Sequence, residues 1–247
     1  MRICGVQFNI SWEDQNANRR RIEALLSCPR PTPGSLVVLP EMCTTGFTMN
    51  AAAAVTPETM AFFAELASRL EVYLVAGVAR REPNANEAVV FGPDGRELVR
   101  YRKQRPFAMG GEDKFFEAGD SFALFDWQGC QVAPFICYDL RFPELFRPAV
   151  AAGAELIVVM ASWPARRIIH WIKLLQARAI ENQCHVIGVN RIGDDPYNCH
   201  CGRSLIVDPM GEIFADAGEV EAVITADIDI AAQRTLREKL PFLRDMR

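Results

Sequence analysis

The stretch that decides the fold of this 247-residue chain runs from Val132 to Glu144 and reads VAPFICYDLRFPE. It begins as an apolar run that is typical of a buried strand, ends at Cys137, and continues as a helix-like segment. A cysteine in this position is fixed by the strand and exposed by the turn, and the N–H groups that open the next helix face whatever its sulfur attacks. The pattern predicts a nucleophile at Cys137, with a buried core cysteine as the simpler alternative.

A cysteine nucleophile needs a group that accepts its proton, because a free thiol has a pKa of about 8.5. Histidine is the usual partner. The three histidines of this chain fall in a helical run, an apolar run and a polar loop, and they are His170, His185 and His200. None of these positions has the character of a catalytic loop, so a Cys-His dyad has little support.

Two other ionisable side chains end strand-like runs. Glu41 follows the apolar run 36–40, and Lys103 follows the run 98–102. Sites of α/β proteins are built at strand ends, so both side chains are candidates for a site with Cys137. For each of them, a solvated surface position is the alternative interpretation.

Taken in order, Pro40-Glu41, Tyr101-Arg102-Lys103 and the segment 137–143 resemble the carbon–nitrogen hydrolase (nitrilase) superfamily, whose triad is Glu-Lys-Cys. The resemblance continues through Ser162-Trp163-Pro164 to the turn 208–211 and covers nearly the whole chain. Within the superfamily the likeness is to the omega-amidase branch, which cleaves the distal amide of alpha-keto acid amides such as alpha-ketoglutaramate.

The alternation of strand-like and helical runs predicts an α/β fold, with no linker or low-complexity segment that would divide the chain. We expect one domain over residues 1–247, with helices outside and two mixed sheets facing each other inside. The superfamily resemblance implies the same four-layer α-β-β-α sandwich. It also implies that protomers pair through a helix face as a homodimer or higher homo-oligomer.

The chemistry implied for the triad uses Glu41 as the base that takes the Cys137 proton. Lys103 and the backbone N–H of Tyr138 would hold the developing oxyanion, and a thioester would form on Cys137. A lysine beside a thiol favours the thiolate. A small-molecule amide is the expected substrate, and the reaction requires no cofactor and no metal.

Substrate-binding residues are expected around this triad. The resemblance places Glu112, on the long loop 104–120, beside the substrate amide and the lysine, with a solvated loop acid as the alternative. The resemblance also implies that Arg141 binds the distal carboxylate of the substrate, because a guanidinium can hold a carboxylate in a bidentate fork. A structural salt bridge with Glu144 is the other interpretation of Arg141. Trp163, Phe47 and Tyr138 are aromatic candidates for the pocket wall, with core packing as the alternative, and for Phe47 core packing is the favoured expectation.

Two positions depart from the branch pattern. Ser162 stands where the branch usually has Asn before Trp-Pro, and Arg105 stands where a histidine usually follows the catalytic lysine. Neither change touches the triad. Both leave the identity of the substrate open.

Composition narrows the class of protein. The net charge of −4 gives no basic field for nucleic acid. No apolar run reaches the roughly 20 residues of a membrane helix, and the N-terminus reads as a strand without a signal peptide. The eight cysteines are scattered, which indicates a reduced, cytoplasmic protein. Cys199-His200-Cys201 fits no common zinc spacing, so we expect no metal there.

Two other functions compete with the omega-amidase hypothesis. One is another superfamily reaction, on an N-carbamoyl amino acid or a modified-peptide amide. The other is a non-enzymatic protein that uses Cys137 as a redox-sensing thiol. A sensor would want a resolving cysteine nearby, and Cys130 is the one close in sequence.

Overall fold

The computed structural model describes residues 1–50, 53 and 55–246. Its strands form two six-stranded sheets and one two-stranded ribbon. The first sheet contains β1 Arg2–Gln7, β2 Leu36–Val38, β3 Tyr73–Arg81, β4 Asn84–Phe91, β5 Glu97–Arg102 and β14 Ala222–Asp227. The second contains β6 Phe125–Trp127, β7 Cys130–Ile136, β8 Leu156–Ala161, β9 His185–Asn190, β12 Leu205–Val207 and β13 Ile213–Asp216. The ribbon consists of β10 Ile192–Asp194 and β11 Cys199–Cys201.

Both sheets are mixed and share one layout. Their strand orders are β14-β1-β2-β3-β4-β5 and β13-β12-β9-β8-β7-β6. The strands β1, β2 and β3 run parallel, as do β7, β8 and β9, and each set continues into an antiparallel hairpin. The hairpin turns are the Gly-Pro-Asp-Gly segment 92–95 and the Asp-Pro-Met-Gly segment 208–211, each with proline at its second position.

The α-helices pack on the outer faces of the sheets. They are α1 Gln15–Ser27, α2 Pro57–Leu70, α3 Pro143–Ala151, α4 Ile168–Asn182 and α5 Ile230–Lys239. Leu36 and Val75 of the first sheet share one core with Phe135 and Val158 of the second. The other face of the first sheet packs against α1 and α2 in a separate cluster, and α4 contacts β9 and β12 of the second. The predicted α/β class and α-β-β-α layering are confirmed.

Local sequence explains how the helices begin and which faces they bury. The Thr56 hydroxyl accepts the Thr59 N–H and Pro57 is the first residue of α2, as the sequence predicts. On α4, Trp171, Leu175 and Ala179 are buried, whereas Ile168 and Ile172 are only half-buried. The Trp171 indole Nε1 donates to the Arg203 carbonyl at 2.7 Å, which fixes the side chain at the centre of this face.

The ribbon β10–β11 has no counterpart in the predicted elements. Its strands are three residues each and contain no alternating apolar pattern, so sequence periodicity gives no signal for them. It follows β9 directly, and an isolated parallel bridge joins Ile192 to Asn9. The ribbon thereby lies at the strand ends where the candidate site is found.

Candidate active site

The Glu41 carboxylate is fully buried just beyond the end of β2. Its Oε1 accepts hydrogen bonds from Lys103 Nζ at 2.8 Å and from Asn86 Nδ2 at 2.7 Å. Its Oε2 accepts the backbone N–H of Ser162 at 2.8 Å. Donors from three separate segments thus fix both oxygens of this carboxylate.

A glycine on the neighbouring strand lets the Glu41 backbone approach so closely. A Cβ on Gly77 of β3 would lie 2.4 Å from the Pro40 carbonyl oxygen and 2.7 Å from Glu41 Cα. These are backbone atoms, which cannot swing aside as the end of a side chain can. Glycine at this position therefore sets the distance between β3 and the residue that carries the carboxylate.

Lys103 lies between two carboxylates. Its Nζ donates to Glu41 Oε1 and also to Glu112, at 2.8 Å to Oε2 and 3.1 Å to Oε1. Burial alone would lower the Lys103 pKa, but Glu112 and Glu41 outweigh it and raise the pKa above its ordinary value. The ammonium therefore stays charged.

The long loop after β5 brings Glu112 into this cluster. Glu112 is fully buried in a short 3₁₀ helix, and its Oε2 also accepts the Phe107 N–H at 2.6 Å. Asn86 Nδ2 donates to Glu112 Oε1 at 2.8 Å as well as to Glu41, so one amide spans both carboxylates. The alternative of a solvated loop acid does not hold for Glu112.

Cys137 occupies a strained turn. Its φ of 48° lies in the left-handed region that side chains other than glycine rarely adopt. Asp139 holds the turn in place, because its Oδ2 accepts the Ile136 N–H at 3.0 Å and the Tyr101 hydroxyl at 2.7 Å. Its Oδ1 accepts the Arg105 N–H at 2.9 Å. The strand end therefore presents the sulfur at a sharp turn, as the sequence indicates.

The resting Cys137 sulfur is protonated. Burial and the Glu41 charge raise the pKa of the thiol well above its ordinary value, and Glu112 acts in the same direction. Lys103 lowers this pKa but does not compensate, because its charge is shared with two carboxylates. Lys103 thus favours the thiolate, as expected, but burial and the two carboxylates outweigh it, so a nucleophilic thiol here requires a base.

A cavity opens above the sulfur. Its wall contains Tyr138, Arg141 and Trp163, as predicted. Phe47 lines it too, with Lys103 Nζ 5.3 Å from the centre of its ring, so the expectation that Phe47 packs only in the core is wrong. The remaining lining residues are Phe107, Cys137, Ser162, Pro164, Arg167, Asp195, Asn198 and His200.

Arg141 is free to receive an anion. Its guanidinium lies 4.7 Å from the centre of the Trp163 ring and one nitrogen is 3.2 Å from His170 Nδ1. Within the part of the chain that the structure describes, no carboxylate is within ion-pair distance of it, Glu144 included. The structural salt bridge with Glu144 is therefore not observed.

The two departures from the branch pattern occupy different places. Ser162 lies at the cavity wall, and its backbone N–H holds Glu41 while its buried hydroxyl finds no hydrogen-bond partner among the described residues. The Arg105 guanidinium lies 5.5 Å from the centre of the Phe142 ring, outside the cavity lining. Ser162 is thus the departure that a bound molecule would meet.

Sequence reasoning missed three polar residues that organise the site. They are Asn86, Asp139 and Asn190. Asn190 Oδ1 accepts the N–H groups of Trp163 and Arg191, and its Nδ2 donates to the carbonyls of Trp163 and Gly202. Two sequence features could have indicated them: Asn190 ends an apolar strand, and Asp139 lies two residues after Cys137.

The cysteines outside the site give no support to a redox or metal function. Cys130 begins β7 and Cys137 follows its end. The seven residues of this strand span about 23 Å, so Cys130 cannot act as a resolving thiol for Cys137. The eight cysteines are free. Over residues 1–50, 53 and 55–246, no cluster of three or more metal-ligating side chains occurs, and Cys199-His200-Cys201 is no exception. No helix in these ranges is long and apolar enough to span a membrane.

Comparisons with known proteins agree with this geometry. Residues 2–238 match the family model described as carbon-nitrogen hydrolase. The chain is 37% identical to the Omega-amidase YafV of Yersinia enterocolitica, over 99% of this chain and 96% of that protein. It is 32% identical to the 2-oxoglutaramate amidase of Bacillus subtilis (strain 168), over 99% and 97% of the two chains.

A solved structure extends the likeness to three dimensions. The CN-hydrolase superfamily protein XC1258 from Xanthomonas campestris, whose active site carries an arsenic adduct, superposes with a TM-score of 0.94. It is 33% identical, and the match covers 100% of this chain and 97% of that one. The two mixed sheets, the buried Glu-Lys-Glu cluster and the cysteine at the end of β7 accompany these matches. The chain belongs to the carbon–nitrogen hydrolase family.

Proposed function

We propose that this protein is an omega-amidase. It hydrolyses the terminal carboxamide of a small acid, a 2-oxo acid amide such as 2-oxoglutaramate, to the carboxylate and ammonia. The observation that carries the proposal is the protonated Cys137 thiol in one cavity with the unpaired Arg141, above the buried Glu41–Lys103–Glu112 cluster. The names of the relatives in Yersinia and Bacillus support the same activity.

Acylation begins with the transfer of the Cys137 proton to Glu41. A base is needed because the resting thiol is neutral, and Glu41 is the carboxylate whose charge acts most strongly on it. The sulfur attacks the amide carbonyl, and the oxygen that becomes negative is held by Lys103 and the backbone N–H of Tyr138. Glu41 then gives its proton to the departing nitrogen, so that ammonia leaves and a thioester remains on Cys137.

Deacylation uses the same carboxylate. Glu41 takes a proton from water as the water attacks the thioester, and the collapsing intermediate breaks the carbon–sulfur bond. The proton returns to the Cys137 sulfur and the free acid is released. Throughout, Glu112 keeps Lys103 charged and in place through its two contacts at 2.8 and 3.1 Å.

Specificity comes from the other end of the cavity. Arg141 binds the substrate carboxylate in a bidentate fork, and the Trp163 ring beneath it fixes the plane of the guanidinium. Tyr138 forms the wall between this end and the sulfur. No cofactor or metal enters any of these steps.

Ammonia release from three amides tests the proposal. We expect the wild-type protein to prefer 2-oxoglutaramate and glutaramate, which carry a carboxylate, over neutral butyramide. Cys137→Ser should lose nearly all turnover because a serine hydroxyl is too weak an acid for a glutamate base, whereas Cys130→Ala, at the far end of the same strand, should keep it. Full activity of Cys137→Ser would overturn the nucleophile assignment.

A second variant tests whether Arg141 binds the substrate carboxylate. Arg141→Lys keeps the charge and loses the fork, so KM should rise about tenfold or more for the two acids and hardly change for butyramide. An equal rise for all three amides would make Arg141 a structural residue. A wild-type preference for butyramide would leave an amidase that is not an omega-amidase.

We further propose that residues 1–247 act as one domain and that the protein works in the cytoplasm as a homodimer or higher homo-oligomer. Free cysteines throughout support a reducing compartment. Exposed Ile180, Met210 and Phe214 support a surface for a second copy. Light scattering after size-exclusion chromatography tests the assembly, and a monomer at micromolar concentration would contradict it.

A further inference from the structure

Arg167 is a second arginine of the cavity wall, and it stands at the start of α4. Its guanidinium lies 5.5 Å from the centre of the Phe107 ring, and its backbone carbonyl accepts the Trp163 indole Nε1–H at 2.9 Å. Trp163 in turn supports Arg141. The two guanidinium groups therefore lie against different aromatic rings, Phe107 and Trp163, and line one cavity.

Arg167 also lacks a compensating charge. In the described part of the chain, no carboxylate is within ion-pair distance of its guanidinium. Burial and the cations Arg166 and Arg141 lower its pKa, while Cys137 and Tyr138 act in the opposite direction. Its charge is thus felt both by the carboxylate-binding arginine and by the nucleophile.

Among the described residues, Asp195 is the acidic side chain in the cavity lining, and its oxygens already have polar neighbours. Its Oδ1 accepts the N–H groups of Tyr197 and Asn198 at 2.8 Å each. Its Oδ2 lies 3.7 Å from His200 Nε2 and 4.0 Å from Arg191 Nη1. The arginines consequently dominate the charge that a small substrate meets beside its carboxylate.

A substrate held by Arg141 places its carbon 2 next to that carboxylate. A 2-oxo group there is neutral and accepts a hydrogen bond, whereas the 2-ammonium of an amino acid amide is a cation. Two guanidinium groups that have no carboxylate partner among the described residues attract the first and repel the second.

We propose that Arg167 selects the substrate at carbon 2, where it donates a hydrogen bond to a 2-oxo oxygen and excludes a 2-ammonium group. This inference rests on the proposed amidase function and adds the residue that separates 2-oxo acid amides from amino acid amides. Arg141 binds the carboxylate, and Arg167 contacts the substituent on the neighbouring carbon.

Three amides that differ only at carbon 2 provide the test. They are 2-oxoglutaramate, glutaramate and glutamine, which carry an oxo group, two hydrogens and an ammonium. Glutaramate is the reference, because ratios to it cancel the contribution of the carboxylate. Binding of each amide is measured by calorimetry in the Cys137→Ala background, and turnover is measured with Cys137 intact.

We expect Arg167→Gln to reduce the preference for 2-oxoglutaramate over glutaramate by about tenfold or more, the size of one charged hydrogen bond. The discrimination against glutamine should weaken at the same time. Arg167→Lys should retain the exclusion of glutamine, because it keeps the charge, and lose part of the oxo preference. Arg166→Gln removes the same charge from an exposed neighbouring side chain and should leave both ratios unchanged.

The binding ratios decide this inference, and turnover decides the proposed function. Unchanged ratios in Arg167→Gln, or an equal loss for all three amides, would overturn the role of Arg167. The role of Arg167 would also be overturned if none of the three amides bound in the Cys137→Ala background. The same holds if Arg166→Gln changed the ratios as much as Arg167→Gln did. Ammonia release from none of the amides by the wild-type protein would instead overturn the amidase proposal.

Discussion

At the scale of single residues, Asp139 shows how the nucleophile turn depends on a buried acid. This carboxylate accepts three hydrogen bonds, from Tyr101, Ile136 and Arg105, and it touches neither the cavity nor the reacting atoms. It acts through the backbone of the Cys137 turn and is therefore a positioning residue. Its ionisation has a measurable consequence for stability.

Burial raises the pKa of Asp139 to about 6 from its ordinary 3.8, although Lys103 and the Tyr101 hydrogen bond act against it. The folded protein thus binds this proton more tightly than the unfolded chain. The resulting stabilisation is complete below about pH 4 and is lost as the pH rises through about 6, a change of about 3 kcal/mol.

Asp139→Asn removes this titration. The free energy of unfolding of the wild type, relative to that of the variant, should therefore fall as the pH rises from about 4 to about 7. Urea unfolding followed by circular dichroism at several pH values measures it. Two parallel stability curves would show that Asp139 has an ordinary pKa in the folded protein.

At the scale of elements, the close packing of β3 against the segment after β2 positions Glu41, the proposed base. Gly77→Ala places a methyl group against the backbone of Pro40 and Glu41, which must move. We expect a loss of about 1–3 kcal/mol in stability together with a marked fall in kcat, because Glu41 loses its alignment.

Gly92→Ala is the matched control for this change. Its added methyl group would meet the side chains of Asp94 and Leu98 in the β4–β5 turn, far from the cavity lining. It should leave kcat unchanged. If Gly77→Ala also lowered stability without affecting kcat, the glycine would serve packing alone.

The same scale shows what sequence can predict. The strand ends at Glu41, Lys103 and Cys137 follow from local patterns of apolar residues, and so do the two proline turns, because neighbours in the chain determine them. Asn86 was missed because its partners Glu41 and Glu112 lie 45 and 26 residues away along the chain. The raised pKa of the Cys137 thiol could not be predicted from sequence, because it depends on burial and on charges that are distant along the chain.

At the scale of the whole molecule, hydrogen bonds tie the two sheets together behind the cavity. Gln7 of β1 accepts the N–H and the hydroxyl of Ser204 with its Oε1, at 2.9 and 2.7 Å. The Ser204 hydroxyl accepts the Asn190 N–H at 2.9 Å, and the Asn190 side chain holds Trp163. One continuous network thus connects the first sheet to the cavity wall.

Ser204→Ala should cut this network. The Asn190 N–H and one lone pair of Gln7 would remain buried without a partner, so the free energy of unfolding should fall by about 1–3 kcal/mol. Ser121→Ala, at an exposed position, is the control and should cost almost nothing. Equal stability of the two variants, measured by chemical denaturation, would argue against the network.

The protonated state of the Cys137 sulfur has a consequence for durability. Peroxide attacks thiolates and scarcely touches neutral thiols, so the raised pKa and the enclosed position of this sulfur slow its conversion to sulfenic and sulfinic acids. In the proposed mechanism, reactivity appears only when a carbonyl group occupies the cavity and Glu41 removes the proton. The protein thereby keeps a cysteine that is ready for acyl transfer yet poorly susceptible to oxidants, and it should retain its activity through episodes of oxidative stress.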